Sequence, residues 1–475
     1  MAYGPRQKWI LALSKMGFIV VNAVLTIVSI ADIPYFRFNN RRATSEVFSI
    51  LGDSSSAFGS FILKYWYFVL IALLLLYFIF FIAHKTIKSK DYQNHRINYT
   101  YLIAIIGAFI FIGLKGPKLT PKHASLYVSP KYRTIVTNTP STLLYSFLKG
   151  QEKLNQKRYF KRSELKEYFQ IHHQYQSEKP FDERNIVLFV LESFSQEYLI
   201  PAHPNKAPTP FLDSLIAKSI VFENMYANGA TSAYGLMSIL GGIPPFLDEA
   251  YFATIYGDNE IYGIGSLLKD VGYTTSFFYG AEDDHYGFRK NMSLLGIENY
   301  FSKEDFKGDA YDGNWGIYDE PFMQLAADII LDQKQPVFAT IFNISSHLPY
   351  MVPTELKDKL PKGTMSSHQS LAYVDYAIQH FFEKLQESEM YENTIFLFTA
   401  DHWAKRRDLE FKNDVGRYRI PFFIYDPQRE NHQTIKTITQ QLDVMHTMLQ
   451  YLNYSGKYMS FGNQVLETDS TNSTY

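Results

Sequence analysis

The stretch that decides the fold is Asn185–Glu192, which reads NIVLFVLE. It is a short apolar run, rich in β-branched and aromatic residues, that ends at a carboxylate. Such a run, bounded by polar residues, predicts a strand that is buried on both faces. Later stretches of the same character predict four more buried strands: Thr274–Tyr279, Pro336–Asn343, Thr394–Thr399 and Pro421–Tyr425.

Helical patterns separate these apolar runs. The candidate helices are Thr209–Lys218, Gly263–Val271, Glu320–Leu331, His368–Glu387 and Thr439–Leu452. The alternation of strands and helices over residues 184–455 predicts an α/β sandwich around a mostly parallel sheet. In such a fold, functional residues collect at the carboxyl ends of the strands.

Polar residues directly follow three of the predicted strands. Glu192 ends the first strand, His347 follows PVFATIFNISS, and Asp401 and His402 follow TIFLFTA. Each feature alone is common in loops and turns. Together, a carboxylate from one strand and an Asp-His pair from another supply the oxygen and imidazole ligands that bind divalent cations. The sequence therefore predicts a metal site at this edge of the sheet.

A Thr-Ser pair marks a second feature, Asn228–Pro245, which reads NGATSAYGLMSILGGIPP. A helix-like stretch follows Thr231 and Ser232 and ends at a Gly-Gly pair. The N-terminus of a helix presents free N–H groups and a positive dipole end, which favour an ionised hydroxyl or a phosphoryl oxygen. An ordinary N-cap serine produces the same pattern, so both interpretations stay open at this point.

The composition excludes several classes of protein. The chain has 46 Lys and Arg against 47 Asp and Glu, and this net charge of −1 argues against a nucleic-acid-binding protein, which usually carries a basic domain. Hydrophobic residues at 46% exclude global disorder. Because there is no cysteine, disulfides, thiolate zinc sites and cysteine nucleophiles are excluded.

The first quarter of the chain is far more apolar than the rest. Apolar runs occupy residues 9–33, 61–83 and 99–115, and a helix needs roughly 20 apolar residues to cross a bilayer. The second run meets this length plainly, whereas the first contains Lys15 and Asn22 and the third is short. We expect about three transmembrane helices within residues 1–116, rather than a cleaved signal peptide.

Basic residues set the orientation of these spans. Arg6 and Lys8 precede the first span, and basic residues at positions 85, 88, 90 and 96 fill the loop after the second. Lys and Arg concentrate in cytoplasmic loops, so three spans place everything after residue 116 outside the cytoplasm. Arg37, Arg41 and Arg42 in the first outer loop oppose this orientation.

Composition also suggests where the remaining segments divide. Residues 117–183 are polar, with several prolines and a charged helical stretch near Lys149–Lys166, and we expect a juxtamembrane linker there. We expect the α/β domain to cover residues 184–455 and residues 456–475 to form a C-terminal tail.

Residues 184–427 resemble the lipoteichoic acid synthase-like branch of the alkaline phosphatase/sulfatase superfamily. The resemblance rests on these stretches, in this order and spacing: NIVLFVLESFS, TPFLDSLIAKSIVFENMYANG, SAYGLMSILGGIPP, YDGNWGIYDEPF, FNISSHLPY, NTIFLFTADH and RYRIPFFIYDP. The segment ADIPYFRFNNRRAT after the first apolar run is also similar to a loop of these proteins. The usual five spans are shortened to three here, which keeps the same orientation.

The resemblance implies an alkaline-phosphatase-like fold and roles for the candidate residues. Glu192, Asp401 and His402 match metal ligands of the family, and His347 matches the histidine that contacts the phosphoryl group. One divalent ion is implied. We expect Mn²⁺, and Zn²⁺ or Mg²⁺ are the alternatives because this set of ligands tolerates all three.

The resemblance also identifies a nucleophile that is itself a metal ligand. It falls on Ser232 when the motif is aligned on its Gly-Ile-Pro-Pro end. Thr231 is the competing choice, since many members have a threonine followed by a serine.

The substrate-facing segment departs from the family pattern. Relatives carry a Trp-Asn-Arg or Asn-Gly run there, whereas residues 280–289 of this chain read GAEDDHYGFR. Asp284, His285 and Arg289 lie near the corresponding position and are the candidates for binding substrate. The departure leaves the headgroup specificity open.

The activity that the resemblance implies is a metal-dependent phosphotransferase in a bacterial cell membrane. It would move a phospholipid-derived headgroup, of glycerophosphate or phosphoethanolamine type, to a glycan or glycolipid acceptor through a phosphorylated Ser or Thr. The alternatives are a hydrolase that uses water and an inactive lipid-sensing scaffold. A sulfatase is disfavoured because SAYGL lacks the Pro and Arg of the sulfatase pattern and the chain lacks Cys.

Overall fold

The structure is a computed structural model, and it describes these residues: 5–39, 42–45, 47, 65–86, 133–149, 159–161, 164–165, 170–201, 203, 206–246, 250–251, 261–283, 287–403, 408–429 and 432–466. The chain divides into two compact units, residues 1–151 and 152–475.

Two long apolar helices dominate the first unit: α1 (Pro5–Asn39) and α2 (Trp66–Thr86). Within them, residues 12–37 and 66–85 are long and apolar enough to cross a membrane, with mean hydropathy 2.1 and 2.7. The third predicted span, residues 99–115, lies outside the described residues. Two shorter helices complete the described part of this unit: α3 (Arg133–Val136) and α4 (Thr139–Lys149).

The polar residues that interrupt α1 have partners within the unit. Asn22 Nδ2 donates a hydrogen bond to the carbonyl oxygen of Phe18 at 2.8 Å. Lys15 Nζ lies 3.2 Å from His84 Nδ1 on α2. Polar groups inside a bilayer need internal partners of this kind. The interruptions in the first apolar run are therefore compatible with a membrane-spanning helix.

Asp32, near the end of α1, links three segments of the first unit. Its buried carboxylate accepts hydrogen bonds from Arg42 Nη1 at 2.7 Å, Ala43 N at 2.8 Å and Thr139 Oγ1 at 2.7 Å. Thr139 is the first residue of α4. Arg42 is one of the three arginines that oppose the predicted orientation, and Asp32 compensates its charge.

Strands and helices alternate through the second unit. In chain order they are β1 (His172–Tyr175), β2 (Asn185–Leu191), α5 (Pro210–Ile216), β3 (Ile220–Phe222), β4 (Met225–Tyr226), α6 (Ser232–Gly241), α7 (Ile264–Lys269), β5 (Thr274–Tyr279), α8 (Phe288–Leu294), β6 (Asn299–Phe301), α9 (Asp319–Asp332), β7 (Val337–Phe342), α10 (His368–Gln386), β8 (Thr394–Ala400), β9 (Phe422–Tyr425), β10 (Gln433–Ile435), β11 (Thr439–Gln440), α11 (Gln441–Tyr451) and β12 (Gly456–Met459). The five predicted strands and five predicted helices are all present, within a few residues of the expected ends.

Eight of these strands form one sheet in the order β10–β3–β9–β8–β2–β7–β5–β6. β9 runs antiparallel to both of its neighbours, and the other pairs in the sheet are parallel. The mostly parallel α/β sandwich expected from the sequence is thereby confirmed. Parallel neighbours cannot be joined by a tight turn and need the long helical connections that the chain supplies.

The central strand β2 lies between β7 and β8, and all of its residues are buried. Phenylalanine rings stack across neighbouring strands: the ring centroids of Phe189 and Phe398 are 4.7 Å apart, and those of Phe398 and Phe423 are 4.6 Å apart. Cross-strand aromatic pairs stabilise a sheet beyond the area they bury. They fix the relative register of the strands that carry the site.

The second unit extends beyond the predicted catalytic domain at both ends. β1 comes from the predicted linker and pairs antiparallel with β12, which lies in the predicted tail. Tyr458 and Val465 of that tail segment are buried. The two strands read HHQY and GKYM, and such short polar strands lack the apolar pattern from which a strand is predicted.

Candidate metal centre and active site

The metal ligands predicted from the sequence come together at the carboxyl end of the sheet. β2 and β8 are parallel neighbours with Leu191 opposite Ala400, so the residues that follow them, Glu192 and Asp401, are adjacent. His402 comes next along the chain. Ligand atoms of Glu192, Asp401 and His402 all lie within 4.8 Å of one another.

The two carboxylates of this cluster are buried. Glu192 is 3% exposed and Asp401 is fully buried. Burial, together with the charge of Glu192, raises the pKa of Asp401 to about 7. Burial alone would lower the pKa of His402, but the charges of Asp401 and Glu192 outweigh it and raise that pKa. Mutual repulsion between two buried carboxylates is relieved by a bound cation.

Each member of the cluster offers one ligand atom, within 4.8 Å of those of the other two. Among the described residues, Asp401 Oδ2 is buried and accepts no hydrogen bond. His402 Nδ1 donates to the Trp403 carbonyl oxygen at 2.9 Å, which leaves Nε2 as the acceptor nitrogen, 3.3 Å from Asp401 Oδ2 and 3.7 Å from Glu192 Oε1. A backbone partner on one ring nitrogen is the usual support for a histidine ligand. The donor set fits one divalent metal ion.

Ser232 is the first residue of α6, and its hydroxyl joins the cluster. Its Oγ donates a hydrogen bond to Glu192 Oε2 at 3.3 Å. Thr231, the competing candidate, is the N-cap residue of α6, but its side chain makes no capping hydrogen bond. Ser232 lies inside the helix, so it is not the ordinary N-cap serine that the sequence left open.

Close packing holds α6 against the candidate metal ligands. Gly235 lies in the first turn of α6, and a Cβ atom added there would be 2.0 Å from the carbonyl oxygen of Asp401. At its other end, α6 stops at Gly242, whose φ of 61° is left-handed and suits glycine. The glycines of SAYGLMSILGG therefore allow Ser232 to lie close to the cluster of Glu192, Asp401 and His402.

His347 lies in the loop after β7, half-buried beside the aromatic ring of Trp315. The ring centroids are 4.3 Å apart in an edge-to-face arrangement. His347 Nδ1 donates to the Leu348 carbonyl oxygen at 2.9 Å, and Trp315 Nε1 donates to the same oxygen at 2.7 Å. The neighbouring Ser346 Oγ donates to the backbone carbonyl oxygen of Glu192 at 2.7 Å. This contact connects the His347 loop to the metal cluster.

Two residues that support Glu192 and Asp401 were not predicted from the sequence. Ser193 has a left-handed φ of 57°; its N–H donates to Asp401 Oδ1 at 2.9 Å, and its hydroxyl donates to Glu192 Oε1 at 2.5 Å. Gln441 Nε2 donates to the carbonyl oxygens of Ala400 and Asp401 at 2.8 and 2.7 Å. A strained backbone at a site is held by such contacts. Ser193 could have been found from the sequence, because it directly follows Glu192 in LESFS. Nothing in the local sequence indicates that Gln441 contacts the site.

The predicted substrate-binding residues are only partly described. Asp284 and His285 lie outside the described residues. Arg289 is on α8, where its Nε donates to Asp283 Oδ1 at 2.5 Å and its guanidinium lies 4.7 Å from the Tyr300 ring centroid. Its charge is thus engaged by Asp283 and Tyr300 rather than by the metal cluster.

Comparison with known proteins shows the family to which the chain belongs. A family model described as Sulfatase matches residues 184–454. The chain is 28% identical over 316 residues to the lipoteichoic acid synthase-like protein YvgJ of Bacillus subtilis, which covers 61% of this chain and 50% of that one. It is 23% identical over 486 residues to the lipoteichoic acid synthase of Staphylococcus saprophyticus, with coverage of 94% and 74%. The chain therefore spans about half the length of the Bacillus relative.

Solved structures show the same fold. A protein of the alkaline phosphatase superfamily from Vibrio parahaemolyticus is 24% identical, with a TM-score of 0.57 over 63% of this chain and 74% of that chain. The lipoteichoic acid synthase LtaP from Listeria monocytogenes is 22% identical, with a TM-score of 0.53 over 62% and 79%. The family match covers more than half of the chain and contains every described site residue. The protein belongs to the sulfatase family, within which it resembles the lipoteichoic acid synthases, as the sequence predicted.

Proposed function

We propose that this protein is a membrane-anchored phosphotransferase. It moves a phospholipid-derived headgroup to a glycan or glycolipid acceptor, through a covalent intermediate on Ser232. The headgroup is glycerophosphate, as the names of the similar lipoteichoic acid synthases suggest, and phosphoethanolamine is the alternative. The protein works in the bacterial cytoplasmic membrane, crosses it several times and holds its catalytic domain outside the cytoplasm.

One observation carries this proposal. A serine hydroxyl at a helix N-terminus lies 3.3 Å from a buried carboxylate that shares a cluster with a second buried carboxylate and a histidine. A hydroxyl is a weak nucleophile at neutral pH unless a neighbouring group lowers its pKa. Glu192, Asp401 and His402 would hold one divalent ion, Mn²⁺ in our proposal with Zn²⁺ or Mg²⁺ as alternatives. That ion would lower the pKa of the hydroxyl and stabilise charge on phosphoryl oxygens.

In the first step, Ser232, whose hydroxyl has already lost its proton to solvent, attacks the phosphorus of a phosphodiester through Oγ. The bond from Ser232 oxygen to phosphorus forms, and the bond from phosphorus to the diacylglycerol oxygen breaks. The N–H groups in the first turn of α6 stabilise negative charge at the phosphoryl oxygens. In our proposal, His347 in its protonated form donates a proton to the departing diacylglycerol oxygen.

In the second step, the hydroxyl of the acceptor attacks the phosphorylated Ser232. The bond from phosphorus to Ser232 oxygen breaks and releases the serine in the ionised form in which it began, while His347 takes the proton of the incoming hydroxyl and returns to its protonated form. The donor lipid stays in the bilayer during this exchange. Membrane-spanning helices on the same chain raise the effective concentration of the site for such a donor. Asp284, His285 and Arg289 are our candidates for contacts to the headgroup.

The test is transfer by the full-length protein in liposomes. Phosphatidylglycerol or phosphatidylethanolamine with an isotope-labelled headgroup is the donor, a glycolipid is the acceptor, and mass spectrometry follows the label. We expect labelled acceptor and free diacylglycerol in equal amounts. Label released to water without acceptor would instead support the hydrolase alternative, and no release of diacylglycerol would refute the proposed activity.

Two alanine variants test the nucleophile. Ser232→Ala should abolish both transfer and the labelled serine peptide found in wild-type protein stopped during turnover. Thr231→Ala is the matched control, because it removes the neighbouring hydroxyl and leaves Ser232 in place. We expect Thr231→Ala to retain most activity. The reverse pattern would move the nucleophile to Thr231.

A further inference from the structure

A hydrogen-bonded network lies beneath the site, between the start of α9 and the loop after β7. Its outer members touch the backbone of Glu192. Asn343 Oδ1 accepts a hydrogen bond from Glu192 N at 2.8 Å, and Ser346 Oγ donates to the Glu192 carbonyl oxygen at 2.7 Å. Asn343 Nδ2 also donates to Ser346 Oγ at 2.9 Å, so the two residues that contact Glu192 are hydrogen-bonded to each other. The backbone on both sides of Glu192 is thus fixed by one loop.

Asp319, the first residue of α9, is the inner member of this network. Its carboxylate accepts hydrogen bonds from the N–H of Ile344 at 2.8 Å, the N–H of Ser345 at 3.0 Å and Asn343 Nδ2 at 3.1 Å. The Ser345 hydroxyl is in turn 3.1 Å from the Asp319 backbone N–H, which donates to it. Asp319 is 3% exposed. One buried carboxylate therefore organises three consecutive residues of the loop.

The carboxylate decides how the amide of Asn343 is turned. An ionised carboxylate only accepts hydrogen bonds, so the NH₂ group of Asn343 must face Asp319 and its oxygen must face the N–H of Glu192. Were the amide reversed, its NH₂ group would oppose the Glu192 N–H, and two donors would meet without an acceptor. Glu192 therefore depends on a residue that it does not contact.

The ionised state of Asp319 has support from its surroundings. Burial raises its pKa to about 6, and the hydrogen bonds from Ile344, Asn343 and Ser345 oppose that rise. The N-terminus of the 14-residue helix α9 adds a favourable field for the negative charge. The carboxylate is accordingly the prevailing form at neutral pH.

We propose that Asp319 is a positioning residue of the metal centre, acting through Asn343 on Glu192 and through the same loop on His347. This inference rests on the proposed function only for its effect on transfer; its effect on metal binding stands independently. Outer groups that orient metal ligands typically change metal affinity or activity about 10- to 100-fold when they are replaced.

The experiment is a Mn²⁺ titration of the purified full-length protein, followed by electron paramagnetic resonance. Asp319→Asn offers an amide where the loop requires acceptors, and we expect its Kd for Mn²⁺ to rise about 10-fold or more. Asn343→Ala should produce a similar rise. If Asp319 acts through Asn343, the double variant should bind Mn²⁺ about as weakly as either single variant.

Asp375→Asn is the matched control. Asp375 is also a buried aspartate, and it accepts hydrogen bonds from Phe211 N at 3.0 Å and Leu212 N at 2.7 Å. These contacts belong to α5, so its replacement removes similar interactions without touching the loop after β7. We expect Asp375→Asn to lower the melting temperature and to leave the Kd for Mn²⁺ within about twofold.

Three results would overturn the proposal: a wild-type Kd in Asp319→Asn, equal losses in Asp319→Asn and Asp375→Asn, or losses that multiply in the double variant. Should Asp319→Asn fail to fold, Asn343→Ala provides the decision. It removes the amide that links Asp319 to Glu192, and unchanged Mn²⁺ binding in it would refute the route through Asn343. Wild-type protein that binds Mn²⁺ but transfers no headgroup would refute the proposed function, while the titrations still decide the role of Asp319.

Discussion

Gly235→Ala should disable the site through packing alone. The added methyl group would lie 2.0 Å from the Asp401 carbonyl oxygen and 2.8 Å from its carbonyl carbon. Non-bonded carbon and oxygen atoms do not approach closer than about 3 Å, so α6 and the end of β8 must separate by about 1 Å. Both atoms in the clash belong to backbone, which cannot rotate away.

The size of the effect follows from this displacement. Overpacking a well-packed region costs about 1–3 kcal/mol of folding free energy, and a displacement of about 1 Å in a catalytic group costs about 100-fold in rate. We therefore expect a protein that still folds, with a lower melting temperature and about 100-fold slower transfer. The assay is headgroup transfer in liposomes, with thermal unfolding in detergent measured on the same preparation.

Gly241→Ala is the control within the same helix. Its added methyl group would meet the end of the Met237 side chain at 2.9 Å and a methyl of Leu295 at 3.0 Å, and both side chains can rotate. We expect Gly241→Ala to keep transfer within about threefold of wild type. Near-normal transfer by Gly235→Ala, or an equal loss in Gly241→Ala, would refute the reasoning.

The remaining predictions concern the metal ligands, acid stability and the first unit. Asp401→Ala should remove the bound ion, which elemental analysis of the purified protein checks; full metal content would contradict the assignment. Burial and the neighbouring His173 lower the pKa of His446 to about 3, so the folded protein binds fewer protons than the unfolded chain between about pH 6.5 and pH 3 and loses stability as the pH falls. His446→Gln, which keeps an acceptor for the Tyr458 hydroxyl, should flatten the dependence of the melting temperature on pH; an unchanged slope would exclude His446. Asp32→Ala leaves the partly buried Arg42 without its carboxylate and should cost about 3 kcal/mol, with a smaller loss when Arg42 is also replaced, and thermal unfolding in detergent measures both.

The sequence determined those parts of the protein that depend on local pattern. Apolar runs such as NIVLFVL, separated by helical stretches, specified a mostly parallel α/β sheet because each run can be buried only between covering helices. A polar residue directly after a strand has one available location, the carboxyl edge of the sheet. The sequence alone therefore identified three candidate metal ligands, Glu192, Asp401 and His402. It also identified two of the apolar helices.

Other features depend on contacts between distant parts of the chain, and only the tertiary structure decided them. The hydrogen bond from Glu192 to Asn343 joins residues 151 positions apart, and β1 pairs with β12 across nearly the whole second unit. Neither Asn343 nor Asp319 differs in local sequence from an ordinary loop or helix-capping residue. The free energy of a buried hydrogen bond depends on the partner it finds after folding, and no local pattern records which partner that is.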